Sequence, residues 1–191
     1  MKGRYILILF LMAGSVSRVL AQADTLAIRE QLAQIRDRDQ KTRKGRDSVA
    51  YIHAIDSSNV QMIENLISRY GWLGKSFAGT GGNQTCFLVI QHADLATQLK
   101  YIPLLRQSVA DGESNASDLA LMEDRINMRS GKKQRYGSQV VLDNEGRNVF
   151  YPIEDEKNVN LRRAEMGLEP IEKYARHFGI IYIPVTSDGG E

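Results

Sequence analysis

"SQVVLDNEGRNVFYPI", residues 138–153, decides the fold class. "SQVVL" and "RNVFYPI" are short runs rich in β-branched and aromatic residues. The "DNEG" between them is turn chemistry, so the stretch reads as a β-hairpin with Asp143 to Gly146 at its tip. Almost everything around it has helical spacing instead.

Working back from the hairpin, "SDLALMEDRINMRS" is a helix closed by Gly131, and "DGESNASD" before it is a turn rich in capping residues. Leu95 to Ala110 is helical, with Pro103 implying a kink or a restart. The apolar run "CFLVI" fits a strand or a buried helix capped by Asn83 or Thr85, because short apolar runs do not discriminate. "GWLGKSFAGTGGNQ", residues 71–84, carries five glycines and reads as a loop packed down by Trp72. Its spacing matches neither a Walker A pattern nor a dinucleotide fingerprint. Earlier, Val49, Ile52, His53, Asp56, Val60, Ile63, Leu66 and Ile67 predict a helix over 47–70, capped by Gly71. Leu26, Ile28, Leu32 and Ile35 predict an amphipathic helix over 22–44, broken at Gly45. After the hairpin come a short helix through Arg162 and Arg163 to Gly167 and a last helix in "PIEKYARHFG". A short strand in "IIYIPV" and a frayed tail over 184–191 complete the chain. The expected fold is α+β and mostly helical, with five or six helices packed around one β-hairpin.

The N-terminal end carries a different message. Lys2 and Arg4, the apolar segment Tyr5 to Ala13, and "VLA" before Gln22 are the three parts of a secretory signal, residues 1–21. The apolar segment is shorter than the roughly 20 residues a membrane-spanning helix needs, so no stable membrane insertion is expected after cleavage. Export to a periplasm or the cell exterior is. Residues 22–191 are then expected to form one domain: a helical pair over 22–70, a motif-bearing core over 71–183, and the tail. Lys2, Arg4 and Arg18 leave with the signal and no acid does, so 25 basic and 23 acidic residues become 22 against 23. That balance argues against nucleic-acid binding, which needs a basic face. Cys86 is the only cysteine, which excludes an intramolecular disulfide; its apolar neighbours mark it as a small buried hydrophobe.

Chemistry-bearing residues gather in four places: Gln91, His92 and Asp94 in "QHAD"; Asp124 and Arg125 in "EDRI"; Gln134, Tyr136 and Gln139 in "GKKQRYGSQ"; and Asn160, Arg162 and Arg163 in "NVNLRR". With Trp72 ahead of them and "PIEDEKNVNLRRAEMGL" behind, these motifs resemble, in the same order, the bacterial domain-of-unknown-function family 6624. "YGSQ" departs from the family pattern in having Ser138 where threonine is more usual, and a hydroxyl is retained. The resemblance implies positions and no activity.

Among these residues only His92 has an ordinary pKa suited to proton transfer near neutrality. Asp94 lies on a different helical face from it and suits an N-cap before "LATQ". Asp124 is the better candidate to orient His92 as a general base, with Arg125 as a planar fork for a carboxylate or phosphate. Gln91, Arg125, Gln134, Tyr136, Gln139 and Arg162 would then line a polar pocket. Each has a structural alternative: a core histidine at His92, a buried Asp124–Arg125 pair, glutamines satisfying strand-edge backbone. No i, i+4 histidine pair suggests a metal, and no cofactor is expected. Two functions fit: a binding module for a small ligand or an envelope or peptide partner, and a hydrolase-like enzyme using His92. Both require the four clusters to converge.

Overall fold

A computed structural model describes residues 4–44 and 48–183, with side chains from residue 24 onward. The elements in order are α1 (Arg4–Lys44), α2 (Val49–Tyr70), α3 (Lys75–His92), α4 (Leu95–Ala110), α5 (Ala116–Arg129), β1 (Val140–Leu142), β2 (Asn148–Phe150), a 3-10 turn (Glu156–Asn158), α6 (Val159–Glu165) and α7 (Ile171–Arg176). The fold is α+β and mostly helical, with one antiparallel hairpin. Seven α-helices occur among the described residues; the extra one is α3, where the sequence left strand and helix open. Tertiary contacts divide the chain into two compact units, Met1–Val89 and Ile90–Glu191, the division falling within α3. The backbone of the predicted signal segment, from Arg4, runs continuously into α1; the expected tail over 184–191 and Gly45 lie outside the described residues.

In the first unit, Ile28, Leu32 and Ile35 of α1 are buried, at steps of four and three residues. Asn59, Ile63 and Leu66 of α2 repeat that rhythm, so the two helices share an apolar seam. The Arg43–Asp56 ion pair, 2.6 Å, ties the end of α1 to the early turns of α2. Leu26 and Val49, expected on these stripes, are exposed, as is His53. Buried Asp39 and Thr42 continue the α1 seam as polar residues. Asn59 is 1% exposed, yet neither its Nδ2 nor its Oδ1 has a hydrogen-bond partner.

The segment 71–84 corrects the loop expectation. Helix begins at Lys75, and only Gly79, at φ +72°, departs from helical backbone, leaving a kink. Carbonyls just before that kink are taken by Arg29, whose Nε donates to Phe77 O (2.9 Å) and whose Nη2 donates to Ser76 O (3.2 Å). Gly82 serves close packing rather than flexibility: a Cβ there would lie 2.9 Å from Leu32 Cδ1 and from Ala78 Cβ. Asn83 and Thr85 sit inside the helix and cap nothing. Asn83 Nδ2 donates to Leu73 O (3.0 Å), and Thr85 Oγ1 to Gly81 O (2.9 Å). Cys86 is fully buried, and that burial pushes its thiol up to about 12, removing it from thiolate chemistry.

In the second unit, Asp94 caps α4, accepting from Thr97 N at 2.8 Å. α4 runs through Pro103 without a restart, and Pro103 lies on the exposed face, where the missing amide is tolerated. The hairpin pairs Val140 with Phe150, Val141 with Val149 and Leu142 with Asn148. Its turn is tied by Asp143 Oδ1, which accepts from the amides of Glu145 and Arg147, both at 2.9 Å. Residues 180–183 are not a strand. Tyr182 turns inward onto Phe150, ring centroids 5.6 Å apart, and donates its hydroxyl to Glu156 (2.8 Å). Side-chain anchoring thus replaces the backbone ladder that the apolar alternation suggested.

Candidate functional site

The motif residues of the second unit converge on one segment, "QRYGSQ", residues 134–139. It is irregular backbone, yet Gln134, Tyr136, Gly137, Ser138 and Gln139 are buried. Buried backbone away from water must find protein partners for its amides and carbonyls. Here side chains from three other stretches, α5, α6 and α7, supply most of them, and Gln134 within the segment supplies others.

Asp124, on α5 and fully buried, accepts from the amides of Arg135 (2.6 Å), Tyr136 (3.1 and 3.2 Å) and Ser138 (3.0 Å). Gln134 closes the segment on itself. Its Oε1 accepts from Gln139 N (2.7 Å), and its Nε2 donates to Gln139 O (3.0 Å) and Tyr151 O (2.6 Å). The carbonyls are taken from α6 and α7. Arg162 Nε donates to Arg135 O (2.8 Å), Arg163 Nη1 to Tyr136 O (2.7 Å), and the Tyr174 hydroxyl to Ser138 O (3.0 Å). Arg163 also donates through Nε to Glu169 O (2.6 Å), and its guanidinium lies 4.8 Å from the Tyr174 ring centroid. Gly137 is obligatory: its φ is +64°, and a Cβ there would meet Ile171 Cδ1 at 2.5 Å.

A second set of contacts joins this segment to "QHAD". Arg125 donates through Nε to Gln139 Oε1 (3.1 Å) and through Nη1 to Gln91 O (3.3 Å). Gln91 Nε2 donates to Leu121 O (3.2 Å), and Gln98 Nε2 to Gln91 O (2.8 Å). Arg129 Nη1 donates to Ala93 O, next to the half-buried His92 at the end of α3. Gln91 is only half satisfied, since its Oε1 and that of Gln98 are buried without partners.

The network's charges follow its burial. Burial raises the pKa of Asp124, opposed by the amides of Ser138, Arg135 and Tyr136. Burial lowers that of Arg163, opposed by Tyr174 and Glu169. The Tyr136 phenol is pushed up to about 12, first by burial and then by Glu123, to which it donates at 3.2 Å. Tyr136 is therefore a hydrogen-bonded core side chain at neutral pH.

Asp124, Arg125, Gln134, Tyr136, Gln139, Arg162 and the Gln91 carbonyl are thus brought into one hydrogen-bonded cluster. Asp94 stands apart as a cap. Asp124 spends both oxygens on the loop amides, and Arg125 holds Gln139 and Gln91. Sequence reading left Arg163, Gln98 and Tyr174 out of the candidate site. For Arg163 a signal existed: it lies four residues after Val159 on α6, and both are buried. Tyr174 and Gln98 carried none.

An opening of about 660 Å³ lies along α1 and α2, lined by Glu30, Gln31, Ala33, Gln34, Asp37, Arg38 and Met62, none of them a motif residue. Among the described residues no group of three His, Cys, Asp or Glu side chains is placed to hold a metal ion, and no helix is long and apolar enough to cross a membrane. No curated protein and no solved structure matches the chain. A family model does match, over residues 18–183, a span that takes in every motif of the 134–139 cluster and "QHAD". The chain that builds this cluster belongs to the family of unknown function DUF6624.

Proposed function

We propose that the chain is an exported recognition module, in which the buried motif residues, Gln139 among them, are the scaffold and the half-buried His92 and Arg125 border the surface that meets a small polar ligand or an envelope peptide. One observation carries this reading: Asp124 commits both carboxylate oxygens to the amides of residues 135, 136 and 138. A hydrolase using His92 as general base asks the same carboxylate to orient an imidazole, and those oxygens are already engaged. A loop clamped from three helices also suits recognition, because a preorganised surface loses little conformational entropy on binding.

The test titrates isotope-labelled protein with envelope-derived peptides and saccharides, following backbone amide shifts. Shifts centred on residues 91–93, 125 and 134–139, lost in Arg125→Ala without loss of fold, support the reading. Turnover of a hydrolysable ester or amide panel, abolished by His92→Ala at unchanged stability, would replace it with the hydrolase.

A further inference from the structure

Between Met128 and Gln139 the exposed side chains are Arg129, Ser130, Lys132, Lys133 and Arg135, so every exposed ionisable group there is a cation. None of the four forms an ion pair with an acid among the described residues. Arg129 donates to Ala93 O, and Arg135 lies 5.6 Å from the Tyr136 ring centroid. The Asp94 carboxyl feels the charge of Arg129 without a salt bridge to it. Several other cations of this unit are paired: Arg106 with Glu123 (2.9 Å), Arg147 with Asp143 (2.8 Å), Arg162 with Asp155 (3.3 Å) and Lys173 with Glu169 (3.2 Å); the rim differs in placing four unpaired cations within seven residues.

The backbone beneath these four cations is also fixed. Gly131, at φ +70°, closes α5, with Gly131 N donating to Met128 O (3.0 Å) and Lys132 N to Asn127 O (2.8 Å). Arg135 is held at both ends, its amide by Asp124 and its carbonyl by Arg162. The segment is therefore a basic rim on a rigid mount, lacking both intramolecular anions and exposed apolar side chains.

We propose that residues 129–135 form a docking surface for the phosphate-bearing headgroups of an anionic lipid membrane. The assignment rests on the exported-module reading above and adds to it a second contact surface. On that reading the chain crosses a membrane and works in a compartment bounded by one, beside anionic headgroups that complement a basic rim. The rim offers exposed charge and no exposed apolar side chain, so attachment through it is peripheral and electrostatic. A basic residue near an anionic membrane surface contributes roughly a fivefold gain in partitioning. Four of them give measurable binding that fades as salt shortens the screening length from about 10 Å at 0.1 M to about 3 Å at 1 M.

The experiment is co-sedimentation of the mature chain with phosphatidylglycerol vesicles and with phosphatidylcholine vesicles, alongside titration with inorganic phosphate. Binding to the anionic vesicles alone is expected, weakened about 30-fold in Lys132→Gln/Lys133→Gln and unchanged in Arg176→Glu, an exposed cation on another element. Equal binding to both vesicle types, equal weakening by the Arg176 variant, or saturable binding of free phosphate without vesicle binding would overturn the lipid assignment. Arg125→Ala keeps the two readings apart. Vesicle binding that survives it while ligand-induced shifts disappear separates this rim from the ligand surface. Absence of binding to either vesicle type would also overturn the lipid assignment, and leaves the ligand titration to decide the first reading on its own.

Discussion

Replacing Asp124 by asparagine tests the scaffold directly. The two side chains have nearly the same shape, so the change leaves packing intact and alters only charge and one hydrogen-bonding atom. If the new amide nitrogen takes the Oδ2 position, Ser138 N loses its acceptor; if it takes the Oδ1 position, Arg135 N does. Either way a donor now faces a donor in a fully buried place. Each buried donor left unsatisfied costs about 1–3 kcal/mol, and bonds to a charged acceptor exceed neutral ones. Asp124→Asn should therefore destabilise the protein by about 2–5 kcal/mol. For a chain of this length each kcal/mol lowers Tm by about 2–4 °C, so a fall of about 5–15 °C is expected. The assay is thermal and urea unfolding followed by circular dichroism, with amide hydrogen exchange as a local readout. Amides 135, 136 and 138 should exchange faster than those of α4, because the loss is local before it is global. A variant within about 0.5 kcal/mol of the parent, with protection at those amides retained, would refute the clamp and return Asp124 to the candidate catalytic groups.

Arg163→Lys should cost about 2–4 kcal/mol by urea unfolding, since one ammonium cannot reach both Glu169 O and Tyr136 O as the guanidinium fork does; an unchanged midpoint would contradict this. Asn59→Leu should raise stability by about 1–3 kcal/mol, because it removes two buried polar atoms that have no partners from the α1–α2 seam; a lower Tm would show that the amide has a role in the seam. Asp94→Asn keeps a capping oxygen and removes a charge. The Asp94 pKa is lowered chiefly by the Thr97 amide, so its charge-dependent stabilisation is full above the ordinary value of about 3.9 and is lost as pH falls through the folded value. Parent and variant stabilities should accordingly converge in acid, and a gap that widens there would reverse the assignment.

Much of this was legible along the chain because it rests on local chemistry. The hairpin over 138–153, the caps at Asp94 and Gly131, and the helices read over 95–110 and 117–130 follow from turn residues and periodicity, which act within a few residues. The 71–84 stretch was misread for the same reason. Glycine counts as a helix breaker locally, yet Gly82 is there because Leu32, fifty residues earlier, occupies the space a side chain would need. Exposure of Leu26 and Val49 likewise depends on where each seam ends.

Periodicity and turn chemistry were enough to establish a mostly helical chain with one hairpin, a signal-like first segment, and a set of polar motifs too dense to be surface decoration. What those motifs do to one another emerges only when the chain is folded. Asp124, Gln134, Arg162, Arg163 and Tyr174 come from up to 50 positions apart to satisfy one six-residue stretch of buried backbone. A hydrogen bond between a side chain and a distant amide leaves no periodic trace in sequence, since it depends on position in space and on which backbone groups water cannot reach.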